Sequence, residues 1–449
     1  MISKIKWKDY KNLGNLELDF RKQDGTIYNT IVLAGENGTG KTTILNSLSG
    51  YLNMHSIMPF EYIEYTVESE PFRITPNRVH GEFGFHSRLN LKTGNREEVL
   101  SGYSNSPEKI KADTFDLRHY GFSYSKARVG FKSSPVKTSS TLQVDKDKYE
   151  PDEDDDFTHI KQLLVDIDTQ DSSEWKRVSE AGGLNDVKFN DFKKNSKGYR
   201  FEKAFNEFFQ SIKYVGINNE DSKEKKVEFK KNNQLISVDD LSTGEKQIVF
   251  RGAHLLKNTN NLSGGVVLID EPELSMHPSW QKKVFDYYRQ LFTNSGDQKV
   301  QMIIATHSEY VIQSALMDPD NVLVVVLSDE NGVINNRNIS APNCLPSITQ
   351  AETNYLAFGV QSTDYHIELY GYLQSKTGKD RVWDCDQYIS QQTNFYNPVI
   401  HEKVDSYQGR QYLTLPTYIR NAIDHPDSGR SYTEDEMRIS IELLMNLCK

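Results

Sequence analysis

A glycine-rich loop places a lysine and a threonine directly after a short apolar run. Residues 31–34 are Ile-Val-Leu-Ala, and residues 35–42 follow with the spacing GxxxxGK[ST]. Glycines let the backbone N–H groups turn towards an anion, and the dipole of a following helix favours negative charge. In such a loop the lysine reaches the β- and γ-phosphates of a nucleotide, and the hydroxyl binds Mg²⁺. The apolar run before it and the helical pattern from residue 43 favour this interpretation over an incidental turn. The predicted nucleotide contacts are Gly35, Glu36, Asn37, Gly38, Thr39, Gly40, Lys41, Thr42 and Thr43.

A second apolar run ends in two carboxylates. Residues 266–271 are Val-Val-Leu-Ile-Asp-Glu, which is typical of a buried strand with acidic residues at its carboxyl end. We expect Asp270 to bind Mg²⁺ together with Thr42, and Glu271 to act as the general base that polarises the attacking water. Alternatively, this could be a strand that ends in acidic residues without any catalytic role. We favour the catalytic interpretation because the same chain contains a phosphate loop.

Two more motifs follow the same order along the chain. Residues 241–246 are Leu-Ser-Thr-Gly-Glu-Lys, and residues 305–308 are Ala-Thr-His-Ser at the end of another apolar run. Together with the first two motifs, this arrangement resembles that of ABC-type ATPases. The resemblance implies that Ser242 and Gly244 contact the γ-phosphate of a nucleotide held by the opposite subunit, and that His307, as a catalytic residue, touches the same phosphate. Thr243 and Glu245 depart from the common LSGGQ, and Ser242 with Glu245 also fits a helix capping box.

The residues around these motifs narrow the resemblance. Residues 270–281 have the form DEPE-x-x-x-HP-x-x-Q, and 201 positions separate Lys41 from Ser242. This form resembles the RecF/SMC-related ATPases of genome maintenance and phage defence. The tail segments 355–360, 364–372, 418–426 and 432–441 resemble those of Septu-type (PtuA-like) defence ATPases, including their retron-associated relatives.

That resemblance implies ATP and Mg²⁺ as cofactors and an ATP-sandwich dimer or higher homo-oligomer. It also implies that the chain controls a separate HNH nuclease in anti-phage defence. No glutamine of the middle segment can be assigned to the Q-loop of these ATPases.

Two other functions remain open. A DNA-repair or chromosome-maintenance ATPase would act on duplex ends, and a basic face would support contact with DNA or RNA if Lys193, Lys194, Lys197 and Arg200 cluster in space. A self-contained nuclease would use Arg420 and His425, which have the R-x4-H spacing of HEPN ribonucleases. Five positions along a helix leave two side chains far apart around the axis, so we favour a structural role for this pair.

Three other sets of polar residues have a structural interpretation that we favour. Asp384 and Asp386 could form half of a Toprim-type metal site, but no strand ending in Glu-Gly precedes them. His366 and Glu368 are two positions apart and cannot face one metal from a helix. The acidic run at residues 152–156 is typical of a solvated loop.

Composition places the chain among intracellular globular proteins. The 53 Lys and Arg against 63 Asp and Glu give a net charge of −10, so any nucleic-acid contact must come from a local basic surface. No apolar stretch approaches the roughly 18 residues of a membrane span. The first residues alternate like a strand rather than a signal peptide. Three cysteines without a CxxC pair suit a reducing cytosol, and we therefore predict a cytoplasmic protein.

The elements needed to position these motifs are strands that alternate with helices, which predicts an α/β fold with a parallel sheet. We expect an ATPase head of the ABC/RecF type, divided by a polar insertion and followed by a small mainly helical domain. The predicted segments are an N-terminal lobe at 1–99, an insertion of helices and loops at 100–234, a second lobe at 235–340 and the C-terminal domain at 341–449.

Overall fold

The computed structural model describes residues 1–77, 84–102, 107–128, 130–146, 148–150, 157–180, 189–220, 224–294, 297–407 and 409–449. The acidic run at 152–156 lies outside these residues. Residues 79–84 have a strand-like sequence, and all of them except Gly84 lie outside as well. The chain divides into two compact units, Met1–Arg337 and Asn338–Lys449.

The strands and helices have the following bounds. The strands are β1 (Ile2–Trp7), β2 (Glu17–Asp19), β3 (Thr30–Gly35), β4 (Phe60–Val67), β5 (Glu70–Pro76), β6 (Phe85–Asn90), β7 (Arg96–Leu100), β8 (Phe122–Ser125), β9 (Tyr149–Glu150), β10 (Ile212–Asn218), β11 (Lys226–Lys231), β12 (Gln234–Ser237), β13 (Val266–Asp270), β14 (Thr293–Asn294), β15 (Asp297–Gln298), β16 (Gln301–Ala305), β17 (Val322–Glu330), β18 (Val333–Ile339), β19 (Glu402–Tyr407) and β20 (Arg410–Thr414). The helices are α1 (Lys41–Leu52), α2 (Pro107–Ala112), α3 (Thr158–Glu180), α4 (Phe189–Asn195), α5 (Tyr199–Phe208), α6 (Thr243–Lys246), α7 (Gly252–Leu256), α8 (Pro278–Leu291), α9 (Glu309–Leu316), α10 (Gln350–Phe358), α11 (Thr363–Thr377), α12 (Val382–Ser390), α13 (Pro398–His401), α14 (Leu415–Asp424) and α15 (Glu434–Cys448).

A central sheet with the strand order β18-β17-β3-β16-β13-β8-β9 carries the predicted motifs. The strands β17, β3, β16, β13 and β8 pair in parallel. Ala305 is opposite both Asp270 and Leu33 in the register of neighbouring strands, so the carboxyl ends of β3, β16 and β13 meet at one edge. Parallel sheets are covered on both faces, which explains why β3, β13 and β16 consist mainly of apolar residues.

One face of the central sheet packs on the N-terminal lobe. There β2-β1-β4-β5-β6-β7 form an antiparallel sheet, and α1 lies against β3, β13 and β16. Ile31, Leu268 and Ile303 share one core with Trp7 and Phe60 of the antiparallel sheet. Each such fully buried side chain stabilises the fold by roughly 1.5–3 kcal/mol relative to exposure. On the other face, α7 contacts β8 and α9 contacts β3 and β17.

The segment 100–234 requires a correction. We predicted helices and loops there. Segments 158–167 and 199–209 carry apolar residues at helical spacing, and the helices α3 and α5 begin in them, at Thr158 and Tyr199. The segment also contains β8, which is part of the central sheet, and most of an antiparallel sheet of β10, β11 and β12. In β11 the buried Val227 and Phe229 alternate with Lys and Glu, a period-two pattern that the high charge of the segment obscured.

The C-terminal unit is mainly helical, as predicted, with one hairpin of β19 and β20. Its core is formed by α11, α14 and α15, with Tyr365, Leu369 and Leu444 fully buried. The helices α10 and α11 are separate because Gly359 ends α10 in a left-handed conformation. The three cysteines of the unit are buried and free.

The structure is thus an α/β protein with a parallel sheet, which confirms the predicted fold class. Within the residues described above, no helix is both long enough and apolar enough to cross a membrane.

Candidate functional site

The glycine-rich loop links the end of β3 to the start of α1, as its sequence predicted. Gly35 and Gly40 have φ values of 139° and 90°, which side chains with a Cβ rarely adopt. A Cβ on Gly35 would lie 2.3 Å from the carbonyl oxygen of Leu327, and one on Gly40 would lie 2.4 Å from Leu13. Both positions therefore need glycine for conformation, and Gly35 also needs it for space, because its clash is with backbone.

Lys41 is folded back into this loop. Its Nζ donates hydrogen bonds of 2.8 Å to the carbonyl oxygens of Gly35 and Glu36. The side chain is buried, and this desolvation lowers the pKa of Lys41 to about 8. Carbonyl oxygens compensate only part of a buried ammonium charge. Phosphate oxygens would compensate it better, so the loop fits the triphosphate that its sequence predicts.

A loop at the start of the chain also supports the phosphate loop. The side-chain amide of Asn12 donates a 2.9 Å hydrogen bond to the carbonyl of Gly38. Sequence reasoning missed this residue, because a lone asparagine between two strands carries no recognisable motif.

Thr42 and Asp270 lie side by side at the edge of the sheet. The Thr42 hydroxyl donates a 2.9 Å hydrogen bond to Oδ2 of Asp270, which joins the start of α1 to the end of β13. Burial raises the pKa of Asp270 to about 6. A hydroxyl and a carboxylate are the oxygen donors that Mg²⁺ prefers, and a divalent cation would offset the unfavourable burial of this charge. The pair therefore fits the predicted magnesium site.

Glu271 and His307 form the next pair along this edge. Nε2 of His307 lies 3.4 Å from Oε1 of Glu271, and both side chains are partly exposed. This contact, with the neighbouring positive charges, lowers the pKa of the Glu271 carboxyl. Glu271 therefore stays ionised at neutral pH, as a proton acceptor must.

Glu273 is a functional candidate that the motif search did not assign. Its Oε1 accepts hydrogen bonds from the Thr306 hydroxyl at 2.7 Å, from the N–H of His307 at 2.9 Å and from the N–H of Ser308 at 3.0 Å. The carboxylate is buried and fixes the backbone that presents His307. In the sequence, Glu273 could have been noticed as the second glutamate of the DEPE motif. Its role could not have been predicted, because it depends on contacts with Thr306, His307 and Ser308 that a sequence does not show.

Ser242 begins the helix that follows the Leu-Ser-Thr-Gly-Glu-Lys motif. Its N–H donates to Glu245 Oε2 at 2.8 Å, and its hydroxyl accepts from the N–H of Glu245 at 3.4 Å, so the expected capping box is present. Gly244 is buried, and a Cβ there would lie 2.8 Å from the carbonyl oxygen of Ser275. Ser242 itself is exposed. In the part of the chain that the structure describes, no hydrogen bond joins Ser242 or Gly244 to residues 35–43.

The R-x4-H pair in the C-terminal unit has structural surroundings. Arg420 lies in α14 and pairs with Asp424 at 2.6 Å and with the Asn421 side chain at 3.1 Å. His425 caps the end of the same helix. The arginine is thus engaged by its own helix, as a structural role predicts.

The other C-terminal candidates also have structural partners. Asp386 is buried and accepts hydrogen bonds from the N–H groups of Leu413 and Thr414, which fixes the hairpin strand β20. His366 is fully buried with its Nε2 2.9 Å from the Ser440 hydroxyl, and Glu368 accepts from Thr349. Among the described residues, no group of three or more His, Cys, Asp or Glu side chains could hold a metal ion.

Two of the four residues of the proposed basic face, Lys193 and Arg200, are paired with carboxylates. Lys193 pairs with Glu202 at 2.8 Å, and Arg200 pairs with Asp145 at 2.6 Å. Lys197 donates to Gln170. Because of these contacts, the four basic residues give little support to direct binding of nucleic acid.

Comparison with known families identifies the chain. Residues 31–313 match the family described as "AAA domain, putative AbiEii toxin, Type IV TA system". The chain belongs to this family of ATPase domains. The matched range begins in β3 and includes the phosphate loop, Ser242, Asp270, Glu271 and His307.

Several curated proteins are similar to this AAA-family chain. The Septu protein PtuA of Bacillus mycoides (strain KBAB4) is 20% identical over 341 residues, which are 73% of this chain and 41% of that protein. The "Retron Vc95 probable ATPase" of Vibrio cholerae serotype O1 biovar El Tor is 24% identical over 394 residues, covering 72% of this chain and 73% of the relative. The "Retron Ec83 probable ATPase" of Escherichia coli is 37% identical over 101 residues, or 20% of this chain and 17% of the relative. The chain therefore spans less than half of the Septu and Ec83 relatives.

Solved structures of SMC head domains are also similar. A head bound to the C-winged helix domain of ScpA has a TM-score of 0.40 and 16% identity, and the match covers 76% of this chain and 98% of that one. The head from Thermotoga maritima has a TM-score of 0.36 and 13% identity, with 76% and 99% covered.

Proposed function

We propose that the protein is an ATPase subunit that binds ATP with Mg²⁺, hydrolyses it, and uses this cycle to control a separate nuclease in anti-phage defence. The observation that carries the ATPase part is the convergence of Lys41, the Thr42–Asp270 pair and the Glu271–His307 pair at one edge of the sheet. The protein's membership of an ATPase-domain family supports the same conclusion.

The roles of the site residues follow from these contacts. Lys41 and the loop N–H groups would hold the phosphates, with Mg²⁺ bound through Thr42 and Asp270. Mg²⁺ would neutralise phosphate charge. Glu271 would accept the proton of the attacking water, and His307 would hold Glu271 in place from its 3.4 Å contact.

A site completed by two copies of the chain is the second part of the proposal. Ser242 is exposed at a helix start and has no hydrogen bond to the phosphate loop of its own chain, among the residues that the structure describes. A helix start offers N–H groups and a dipole to an anion. A neighbouring copy could therefore receive Ser242 and Gly244 at its γ-phosphate, in an ATP-sandwich dimer.

The third part concerns the nuclease. The relatives carry the names Septu protein and retron ATPase, which supports a role in defence. Arg420 is engaged by Asp424, so the described C-terminal unit offers little support for a nuclease of its own. In keeping with the resemblance to Septu-type ATPases, we propose that nuclease activity of the HNH class resides on a partner chain in the cytoplasm.

The experiment measures phosphate release and nucleic-acid cleavage by the same purified chain. We expect Mg²⁺-dependent phosphate release from ATP and no cleavage of DNA or RNA. Absence of ATP hydrolysis in a chain that binds ATP would contradict the ATPase part. RNA cleavage that disappears in His425→Ala would contradict the separate nuclease and establish the HEPN alternative.

A further inference from the structure

The backbone of Glu271 has an unusual conformation. Its φ is 45°, in the left-handed region that few residues other than glycine adopt, and it directly follows the extended strand β13. Such a conformation persists only when surrounding groups hold it. On one side, the N–H of Glu271 donates a 2.8 Å hydrogen bond to the carbonyl of Ala305 in β16.

Arg251 holds the other side of this peptide. Its Nη1 donates a 3.0 Å hydrogen bond to the carbonyl of Glu271, and its Nη2 donates a 2.7 Å hydrogen bond to the carbonyl of Asp270. The guanidinium therefore spans two consecutive carbonyls at the turn from β13 into the carboxylate pair. Rotation of the Glu271 peptide out of the left-handed region would break one of these bonds.

Every N–H of this guanidinium has an acceptor. Besides the two carbonyls, Nε donates to the Ser125 hydroxyl at 2.7 Å, Nη2 to the Ser125 carbonyl at 3.1 Å and Nη1 to the Gln247 side chain at 3.2 Å. Arginine has five N–H donors, so the set is complete. Arg251 is fully buried, and none of these acceptors carries a formal charge. A residue that served only to fill the core would not need a buried cation.

A local irregularity in the helix that follows Ser242 positions Arg251 next to the Asp270 and Glu271 carbonyls. Residues Gln247–Arg251 form a π-helical turn between α6 and α7, and such turns often occur at functional positions. Gln247 also donates to the carbonyl of Arg128 at 2.6 Å, which ties the turn to the chain after β8. The helix that begins at Ser242 therefore connects to the backbone of Glu271 through Arg251.

We propose that Arg251 is a positioning residue that holds the Glu271 backbone in its left-handed conformation and so aims the carboxylate at the attacking water. This rests on the proposed function of Glu271 as general base. A lysine cannot replace the arginine, because one ammonium cannot span the two carbonyls and Ser125 with the same planar geometry.

The test compares Arg251→Lys with the wild-type chain in ATP binding and steady-state hydrolysis. We expect kcat to fall at least tenfold, while KM and ATP affinity measured by calorimetry stay within threefold. Arg118→Lys is the matched control, since Arg118 is also fully buried but pairs with Asp116 away from the site. That variant should lose stability without losing kcat in its folded fraction.

A double-mutant cycle with Glu271→Gln separates positioning from a general structural effect. If Arg251 acts through Glu271, adding Arg251→Lys to Glu271→Gln changes the residual rate less than twofold. The same loss in both backgrounds, or a wild-type kcat in Arg251→Lys, overturns the proposal. Should Arg251→Lys fail to fold, Ser125→Ala removes only the Nε acceptor, and it must lower kcat with KM unchanged for the proposal to stand.

The two proposals fail in different ways. A wild-type chain that binds ATP but does not hydrolyse it overturns both the general base and its positioning residue. Hydrolysis that depends on Glu271 but is unaffected by Arg251→Lys overturns the positioning role alone.

Discussion

Nε2 of His307 lies 3.4 Å from Oε1 of Glu271, although the two residues come from the ends of different strands. The pairing depends on the parallel register of β13 and β16, which puts Asp270 opposite Ala305. Glu273 then fixes the backbone of His307 through its N–H. The proposed general base and the imidazole beside it are therefore positioned by the sheet rather than by a flexible loop.

Replacement of Glu271 by glutamine should separate ATP binding from hydrolysis. The amide can still hydrogen-bond water and His307, but it cannot accept a proton, so hydrolysis should fall by about 100-fold or more. ATP affinity, measured by calorimetry, should stay near the wild-type value. Glu330→Gln is the control, because this exposed glutamate lies at the end of β17 outside the site. Wild-type turnover in Glu271→Gln would show that another group is the base.

Removal of the Lys41 ammonium should strongly weaken nucleotide binding. The Lys41→Ala variant loses the charged donor of the loop, and charged hydrogen bonds of this kind make a difference of about 10- to 100-fold in affinity. Calorimetry with ATP and Mg²⁺ measures the loss. Lys92→Ala serves as the control, since Lys92 is an exposed lysine paired with Glu70 in the antiparallel sheet. Equal ATP affinity in Lys41→Ala and the wild type would refute the phosphate-loop assignment.

The strands and helices that carry the site motifs could be predicted because each motif is local. A glycine loop between an apolar strand and a helix, or a strand that ends in Asp270 and Glu271, can be recognised from neighbouring residues alone. Asn12, Glu273 and Arg251 were not predicted, since their partners Gly38, His307 and Glu271 are distant or depend on backbone geometry. The strand β8 was missed for a related reason, because four residues within a polar segment show their role only when paired with β13.

Acid should destabilise the C-terminal unit through His366. Burial lowers the pKa of His366 to about 3, well below the ordinary value near 6.5. Between these values the unfolded chain binds a proton that the folded chain does not, so the free energy of unfolding falls as pH decreases. The slope for one such group approaches about 1.4 kcal/mol per pH unit.

Hydrogen exchange of the backbone amides of α11 and α15 at pH 7 and pH 5, corrected for intrinsic rates, measures this effect. His366→Gln replaces the imidazole by a polar side chain that does not titrate, so the pH dependence of its α11 and α15 amides should decrease. His401, whose pKa is also lowered by burial, lies in the same unit and is unchanged in both chains. His86, with a pKa also lowered to about 3, lies in the other unit and is unchanged in both chains. The same pH dependence in wild type and His366→Gln would exclude His366 as its source.

Mixing two inactive variants should restore ATP hydrolysis if two copies complete each site. Lys41→Ala lacks the phosphate-loop lysine but retains Ser242, whereas Ser242→Arg has an intact loop and a blocked helix start. A mixed dimer contains one site with an intact loop and an intact opposing serine. Random pairing of equal amounts should restore roughly a quarter of the wild-type rate if the two sites act independently.

The control replaces Ser242→Arg with the double variant Lys41→Ala/Ser242→Arg, because no pairing of that chain with Lys41→Ala contains an intact site. Different affinity tags on the two chains, purified in sequence, verify that mixed oligomers are present. Their phosphate release is then compared with that of each variant alone. Because Ser242 is exposed and makes no hydrogen bond to residues 35–43 of its own chain within the described residues, a site within one chain would leave its role in hydrolysis unexplained. Verified mixed oligomers that stay inactive would nevertheless require such a site, and the two-copy proposal would then be abandoned.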